Sequence, residues 1–169
     1  MTTERTLVMN SKQVQQRLNR LAWQVYENCW DEKEIIIAGI APNGFLLAKR
    51  IASILESISS IRTKIIEVKV EKDNPLQGPA ELSASPAELK DKVVVVIDDV
   101  SNSGRTLIYG VKPFLSCPVK SILTLVLVDR AHNRFPVKTN FVGLSLATTL
   151  QEHISVEIAD NGSDAVYLD

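Results

Sequence analysis

The sequence predicts an α/β fold in which a mostly parallel central sheet is flanked by helices and closed by a few short strands near its C-terminus. Three observations carry that expectation. Val93-Val94-Val95-Val96-Ile97 is an unbroken β-branched run, which reads as a strand buried on both faces. Strand-like runs alternate with helical patterns over the first two-thirds of the chain. No repeat or linker composition divides the 169 residues, so 1–169 is expected to be one domain.

Residues 11–29 read as a helix, with Ser11 as its cap and Val14, Leu18, Leu21, Ala22 and Val25 at helical spacing. Trp23, Tyr26 and Trp30 widen its apolar surface. They would suit an interface, but the core is the commoner place for such residues. Residues 34–40 form a short strand around Ile35-Ile36-Ile37, 41–44 a turn, and 45–55 a second helix. Residues 61–70 alternate in part and read as a strand. The stretch 73–88, with three prolines, a glycine and little periodicity, is expected to be a loop, either a functional lid or a surface excursion. The buried run gives a strand over 92–97, and 107–115 can form a helix. Residues 119–128 are another buried strand, 130–138 a polar loop, and 139–143, 154–158 and 165–168 short late strands.

The bulk numbers exclude several functions. A net charge of −1 gives no basic field, so nucleic acid is not implied by charge. Cys29 and Cys117 are too few for a disulfide framework and are expected to be reduced, buried thiols. No apolar stretch reaches the length of a membrane span, and Met1 to Arg5 show no apolar leader, so a cytoplasmic chain without membrane contact is expected.

Chemistry concentrates after the buried run. Asp98 and Asp99 end it, and Val100-Ser101-Asn102-Ser103-Gly104-Arg105-Thr106 follow. Ligands of open α/β sheets bind outside the carboxyl ends of strands. Small residues with free N–H groups ahead of a helix suit an anion such as phosphate. Two carboxylates suit hydroxyls, a developing cation or Mg²⁺ instead. A ligand with phosphate at one end and a diol at the other is a ribose 5-phosphate.

Asp98 to Thr106 resembles the ribose-phosphate signature of the type I phosphoribosyltransferases, with every defining position filled. Ile36-Ile37-Ala38-Gly39-Ile40 with Gly44 to Ala52 is similar to the first strand–turn–helix of the pyrimidine operon attenuation regulators, within the uracil phosphoribosyltransferase branch. Leu127 to His132, Phe135-Pro136-Val137, Phe141-Val142-Gly143, Val156 and Ala165-Val166-Tyr167 are collinear with that pattern, so the resemblance runs from about Val14 to the end.

The resemblance implies a type I phosphoribosyltransferase fold with a small C-terminal hood, usually a homodimer. It implies transfer of ribose 5-phosphate from phosphoribosyl pyrophosphate to a nitrogenous base, with Mg²⁺ and release of pyrophosphate. Asp98 and Asp99 would be the catalytic and metal-binding pair, and Asp98 to Thr106 would bind phosphoribosyl pyrophosphate, Gly104 allowing close backbone approach. Arg105 more readily covers the loop than touches phosphate. Ala41, Pro42, Asn43 and Gly44 correspond to the pyrophosphate loop, and Arg130, Phe141 and Val142 to the base site. Phe141 has core burial as its bland alternative.

Two departures matter. Asn43 stands where the family usually has a basic residue, so either Arg130 or Lys72 substitutes, or catalysis is weak. Asn102 stands where purine-using relatives carry an Asp general base. An amide cannot take a proton, which favours a pyrimidine, uracil-like base. The rival reading is a nucleotide-sensing regulator with little catalysis. A third is an RNA-binding attenuator, resting on Arg17, Arg20, Arg130, His132, Arg134 and Lys138. Trp23 replaces an expected His and Asn133 an expected Arg, so sequence-specific RNA binding is not expected.

Overall fold

The computed structural model describes residues 4–149 and 151–169. A six-stranded sheet has the order β4-β3-β2-β5-β6-β7, and a three-stranded sheet the order β1-β9-β8. The strands are β1 (Thr6–Met9), β2 (Glu34–Ile40), β3 (Arg62–Lys69), β4 (Glu81–Leu82), β5 (Val93–Ser101), β6 (Ser121–Asp129), β7 (Phe141–Ser145), β8 (Ile154–Glu157) and β9 (Ala165–Leu168). The helices are α1 (Ser11–Cys29), α2 (Asn43–Ile58) and α3 (Arg105–Val111). Every pairing in the large sheet is parallel except that of β4. The small sheet is antiparallel and forms the hood.

The β-branched run is explained by two covered faces. Val93, Val95 and Ile97 pack with Leu47, Ile51, Leu18 and Val25 on the α1–α2 side. Val94 and Val96 pack with Leu107 and Phe114 on the α3 side. Ile35 and Ile37 of β2 join the first cluster, and Ile36, Ala38 and Ile40 the second. Each strand therefore needs an apolar residue at every position.

Several boundaries move for identifiable reasons. Asn10, not Ser11, caps α1: its side chain accepts from Gln13 N, and Gln13 bonds back to Asn10 N. The Ser11 hydroxyl instead donates to Gly162 O in the hood. Trp23 and Trp30 are 48% and 69% exposed, outside the core, and Tyr26 packs partly against it. The helix predicted over 45–55 starts at Asn43, because Gly44 lies flat on β5.

The 73–88 stretch is more ordered than a loop. Two 3₁₀ turns, Pro75–Gln77 and Pro86–Leu89, flank β4, which pairs with Val68 and Lys69. Pairing to β6 as far as Ser101↔Asp129 carries β5 through the acidic pair, four residues beyond the predicted end. Pro113 ends α3 early and starts a 3₁₀ segment, Lys112–Ser116. β7 begins two residues late because Thr139 and Asn140 bond sideways to Asp129 and Thr124. β1 was not anticipated. Its partner is β9, nearly the whole chain away. Among the described residues no helix is long and apolar enough to cross a membrane.

Candidate functional site

The carboxyl ends of β2, β3, β5 and β6 converge on one edge of the large sheet. The turn after β2 is pressed onto β5. A Cβ on Gly39 would lie 2.4 Å from Phe45 Cα, and one on Gly44 would lie 2.4 Å from Ile97 O. Only glycine permits this approach, and it brings Asn43 to the acidic pair. The Ala41–Pro42 peptide is cis, and Ala41 N donates to Val68 O at 2.9 Å.

Asp98 is 2% exposed and Asp99 half-buried. Asp99 N donates to Asp98 Oδ1 at 2.9 Å, and Val100 N to Asp99 Oδ1 at 2.8 Å. Asn43 Nδ2 donates to Asp99 Oδ2 at 2.9 Å and to Val156 O of the hood at 3.0 Å. Burial, and then the neighbouring Asp99 charge, push the Asp98 carboxyl well above its usual range, against the pull of Lys72. The Lys72 ammonium lies 3.7 Å from Asp98 Oδ1. A buried carboxyl of this kind favours a proton or a cation.

Beside the acidic pair lies a cavity of about 200 Å³, lined by Lys72 and residues 100–107. Ser101 is 3% exposed, and its Oγ is the one buried side-chain polar atom without a hydrogen-bond partner among the described residues. Such an orphan needs a partner that a ligand or water can supply. Gly104 has φ +83°, and a Cβ there would lie 2.7 Å from Val137 Cγ1. Ser103 O accepts from Arg134 N and Phe135 N, which fixes the loop against the 130–138 segment. Ser103 Oγ accepts from Arg105 N at 3.3 Å. Arg105 and Thr106 border the cavity from the first turn of α3.

Arg130 is 7% exposed, and each of its three nitrogens donates to protein. Nε donates to Thr148 Oγ1 at 2.8 Å, and Nη2 to Thr149 O and Glu152 O at 3.0 and 2.6 Å. Nη1 donates to Asn102 Oδ1 at 3.0 Å. A guanidinium only donates, so it fixes the amide with its oxygen toward Arg130, leaving Nδ2, a pure donor, for a ligand. His132 Nε2 lies 3.0 Å from Thr148 O. Arg130 thus ties Thr148, Thr149 and Glu152 to Asn102, a link that motif reading missed. Its signal was Thr149-x-x-Glu152, a local box in which Thr149 N donates to Glu152 Oε2 at 2.6 Å.

Phe141 and Val142 are not brought to this edge. Phe141 is 5% exposed and pairs with Leu125 at the start of β7, whereas the strand reaches the edge at Ser145, opposite Asp129. Four residues of strand, about 13 Å, separate it from the cleft. Its ring belongs to the α1-side core, and Val142 to the other side. Of the cations suggested for RNA, Arg17 donates to Gly143 O at 3.0 Å and is engaged with the β7 edge.

The carboxylates fit Mg²⁺ in a limited sense. Among the described residues no group of three or more His, Cys, Asp or Glu could cage a metal. Mg²⁺ commonly takes one or two carboxylates and completes its shell with water and substrate phosphate, and Asp98 with Asp99 offers that set.

Comparison with known proteins agrees with this geometry. Residues 8–160 match the phosphoribosyl transferase domain. The bifunctional protein PyrR of Microcystis aeruginosa is 30% identical, with 99% of each chain covered. That of Clostridium kluyveri is 27% identical, with 92% of each covered. Among solved structures, a hypoxanthine phosphoribosyltransferase of Trypanosoma cruzi superposes with a TM-score of 0.76 at 13% identity, covering 97% of this chain and 91% of that one. A hypoxanthine-guanine phosphoribosyltransferase of Bacillus anthracis gives 0.68 at 18% identity, with 85% and 84% covered. With the parallel sheet, the acidic pair and the loop that follows it in place, the chain belongs to the phosphoribosyl transferase domain family.

Proposed function

We propose that this phosphoribosyltransferase moves the ribose 5-phosphate of phosphoribosyl pyrophosphate onto a ring nitrogen of a pyrimidine base such as uracil. The C1′–O bond to pyrophosphate breaks and a C1′–N bond forms. The proton on the ring nitrogen leaves to water or to the departing pyrophosphate. The reading treats 1–169 as one domain that works in the cytoplasm as a homodimer.

The observation that carries it is the buried acidic pair directly beside a small polar cavity with an orphaned hydroxyl. Residues 101–106 take the 5-phosphate through main-chain N–H groups and the Ser101, Ser103 and Thr106 hydroxyls. Asp98 and Asp99 face the ribose, where positive charge develops only as the bond to pyrophosphate stretches. Fixed carboxylates there stabilise the transition state more than the ground state. Mg²⁺, held by the same pair, would offset charge on the leaving pyrophosphate. Arg130, tied to Thr148, Thr149 and Glu152, holds Asn102 at the base side.

Asn102 supports the choice of base. Its Nδ2 offers a donor, which suits a ring carbonyl such as that of an oxo-pyrimidine, and it cannot serve as the base for a purine nitrogen. The relatives named bifunctional PyrR point the same way. The fold neighbours are hypoxanthine enzymes, so the base is what an experiment must decide.

The test is calorimetry of phosphoribosyl pyrophosphate, uridine monophosphate and guanosine monophosphate with Mg²⁺, followed by base-dependent pyrophosphate release. Binding near −8 kcal/mol, about micromolar, with release driven by uracil, is the expected result. Release driven by hypoxanthine or guanine instead would overturn the pyrimidine assignment. The rival reading, a nucleotide-sensing regulator, is favoured by Asn43, whose amide is committed to Asp99 and the hood. Nucleotide binding without binding of phosphoribosyl pyrophosphate would support it.

A further inference from the structure

Both hydrogens of the Asn43 amide are spent at the site. Nδ2 donates to Asp99 Oδ2 at 2.9 Å and to Val156 O at 3.0 Å. Both neighbours are acceptors, so the nitrogen of the amide, and not its oxygen, has to face them. Asn43 opens α2, and Gly44 beside it is pressed onto Ile97 O, so the backbone that carries the amide is seated on β5.

The two partners belong to different parts of the fold. Asp99 lies on β5 of the large sheet, and Val156 lies on β8 of the hood, opposite Val166 of β9. The hood is also tied through the turn between β8 and β9, where Arg50 holds Asp164 at 2.5 Å and the Ser11 hydroxyl donates to Gly162 O. Among the described residues, Asn43 is the one side chain bonded both to a carboxylate of the acidic pair and to the hood.

A carboxylate held at one oxygen can still pivot. Val100 N, from the next residue of the same strand, holds Asp99 Oδ1 at 2.8 Å. Asn43 holds the other oxygen. With one donor on each oxygen the plane of the carboxylate is set, and its remaining lone pairs are left for a ligand.

We propose that Asn43 is a positioning residue that aligns Asp99 for the reaction only while β8 is seated. The reaction rests on the transferase reading; the link from β5 to β8 does not. When the hood lifts, Val156 O leaves the amide, the amide regains its rotation, and Asp99 keeps only the Val100 N–H. Alignment of the carboxylate that faces the ribose is thereby coupled to the position of a strand in another sheet.

The test compares N43A, N43D, D99N and the double variant N43A/D99N. N43D keeps the shape of the side chain and removes both hydrogens, which separates donation from packing. Steady-state pyrophosphate release with Mg²⁺ gives kcat and KM, calorimetry gives uridine monophosphate binding, and hydrogen exchange compares the amides of β8 with those of β5. N43A and N43D should lower kcat about tenfold or more, the size of one lost charge-assisted hydrogen bond. KM for phosphoribosyl pyrophosphate and binding of uridine monophosphate should change less than about threefold. The double variant should be no slower than D99N, because Asn43 acts through the carboxylate. The β8 amides should exchange about tenfold faster in both single Asn43 variants, while protected β5 amides show that the fold is intact. An unchanged kcat in N43A or N43D, multiplying losses in the double variant, or unchanged β8 exchange overturns the assignment. If the parent releases no pyrophosphate with any base, the transferase reading falls, and exchange at β8 alone decides the link.

Discussion

The turn at 41–44 and the loop at 101–106 both leave the carboxyl end of a parallel strand, and both enter a helix within two or three residues. Both depend on a glycine: Gly44 pressed against the backbone at Ile97 O, Gly104 at φ +83° against the Val137 side chain. Their chemistry differs. The second loop borders a cavity and keeps an unpartnered Ser101 hydroxyl. The first has one polar side chain, Asn43, already bonded on both sides. Backbone architecture sets where a phosphate can come, and side-chain commitments decide whether anything is left to bind it.

Removing the acidic pair between the two loops should have the largest effect. D99A is expected to lower base-dependent pyrophosphate release about a hundredfold or more, the size of losing one fixed charge-stabilising group. D98N should also lose activity, yet gain stability in a pH-dependent way. Asp98 is raised in the folded state, mainly by burial, so its charge costs stability as pH rises above about 4, the unfolded value, toward the folded value. Melting curves should show D98N above the parent at pH 8 and level with it near pH 4. A gain independent of pH would point to packing instead.

The glycines come next. G44A forces a methyl into a backbone carbonyl and should cost about 3 kcal/mol, or roughly 6–12 °C in Tm. G104A meets a movable Val137 side chain and a left-handed backbone, and should cost about 1–2 kcal/mol. Equal costs would break the claim that the first turn is the more tightly seated. The smallest change sharpens the contrast directly. N43R should tighten inorganic pyrophosphate about tenfold, as a charge-assisted hydrogen bond would. No gain would mean that seating, and not the missing cation, limits this turn.

What the sequence reveals follows how local each cause is. The buried run at 93–97 and the spacing of Val14, Leu18, Leu21 and Val25 are legible because burial on known faces leaves a periodic trace. Asp98 to Thr106 is legible because strand, carboxylates and loop are contiguous. Phe141 misled because a short strand does not declare which end meets the cleft, and only the register with β6 places the ring four residues short of it. Thr148, Thr149 and Glu152 carry no motif beyond a local box, and their link to Asn102 depends on Arg130 reaching them from another segment. Asn10 was overlooked as a cap because its neighbour Ser11 is an equally good candidate until the hood claims that hydroxyl.

The pairing of Thr6 with Leu168 makes the hood sheet the most non-local contact in the fold. β2, β3, β5, β6 and α3 lie between its halves and can assemble without it. On the ribosome, where the N-terminal part emerges first, β1 has to wait for β9, and closing so long a loop is slow relative to local pairing. The edge that carries Asp98 and Asp99 is therefore complete while the hood is still being synthesised. In the finished protein the same division makes the hood the unit that opens first. Hydrogen exchange should find the amides of β8 and β9 exchanging long before those of β5, so that each nascent molecule, and each thermal fluctuation, presents Asn43 without its hood partner Val156.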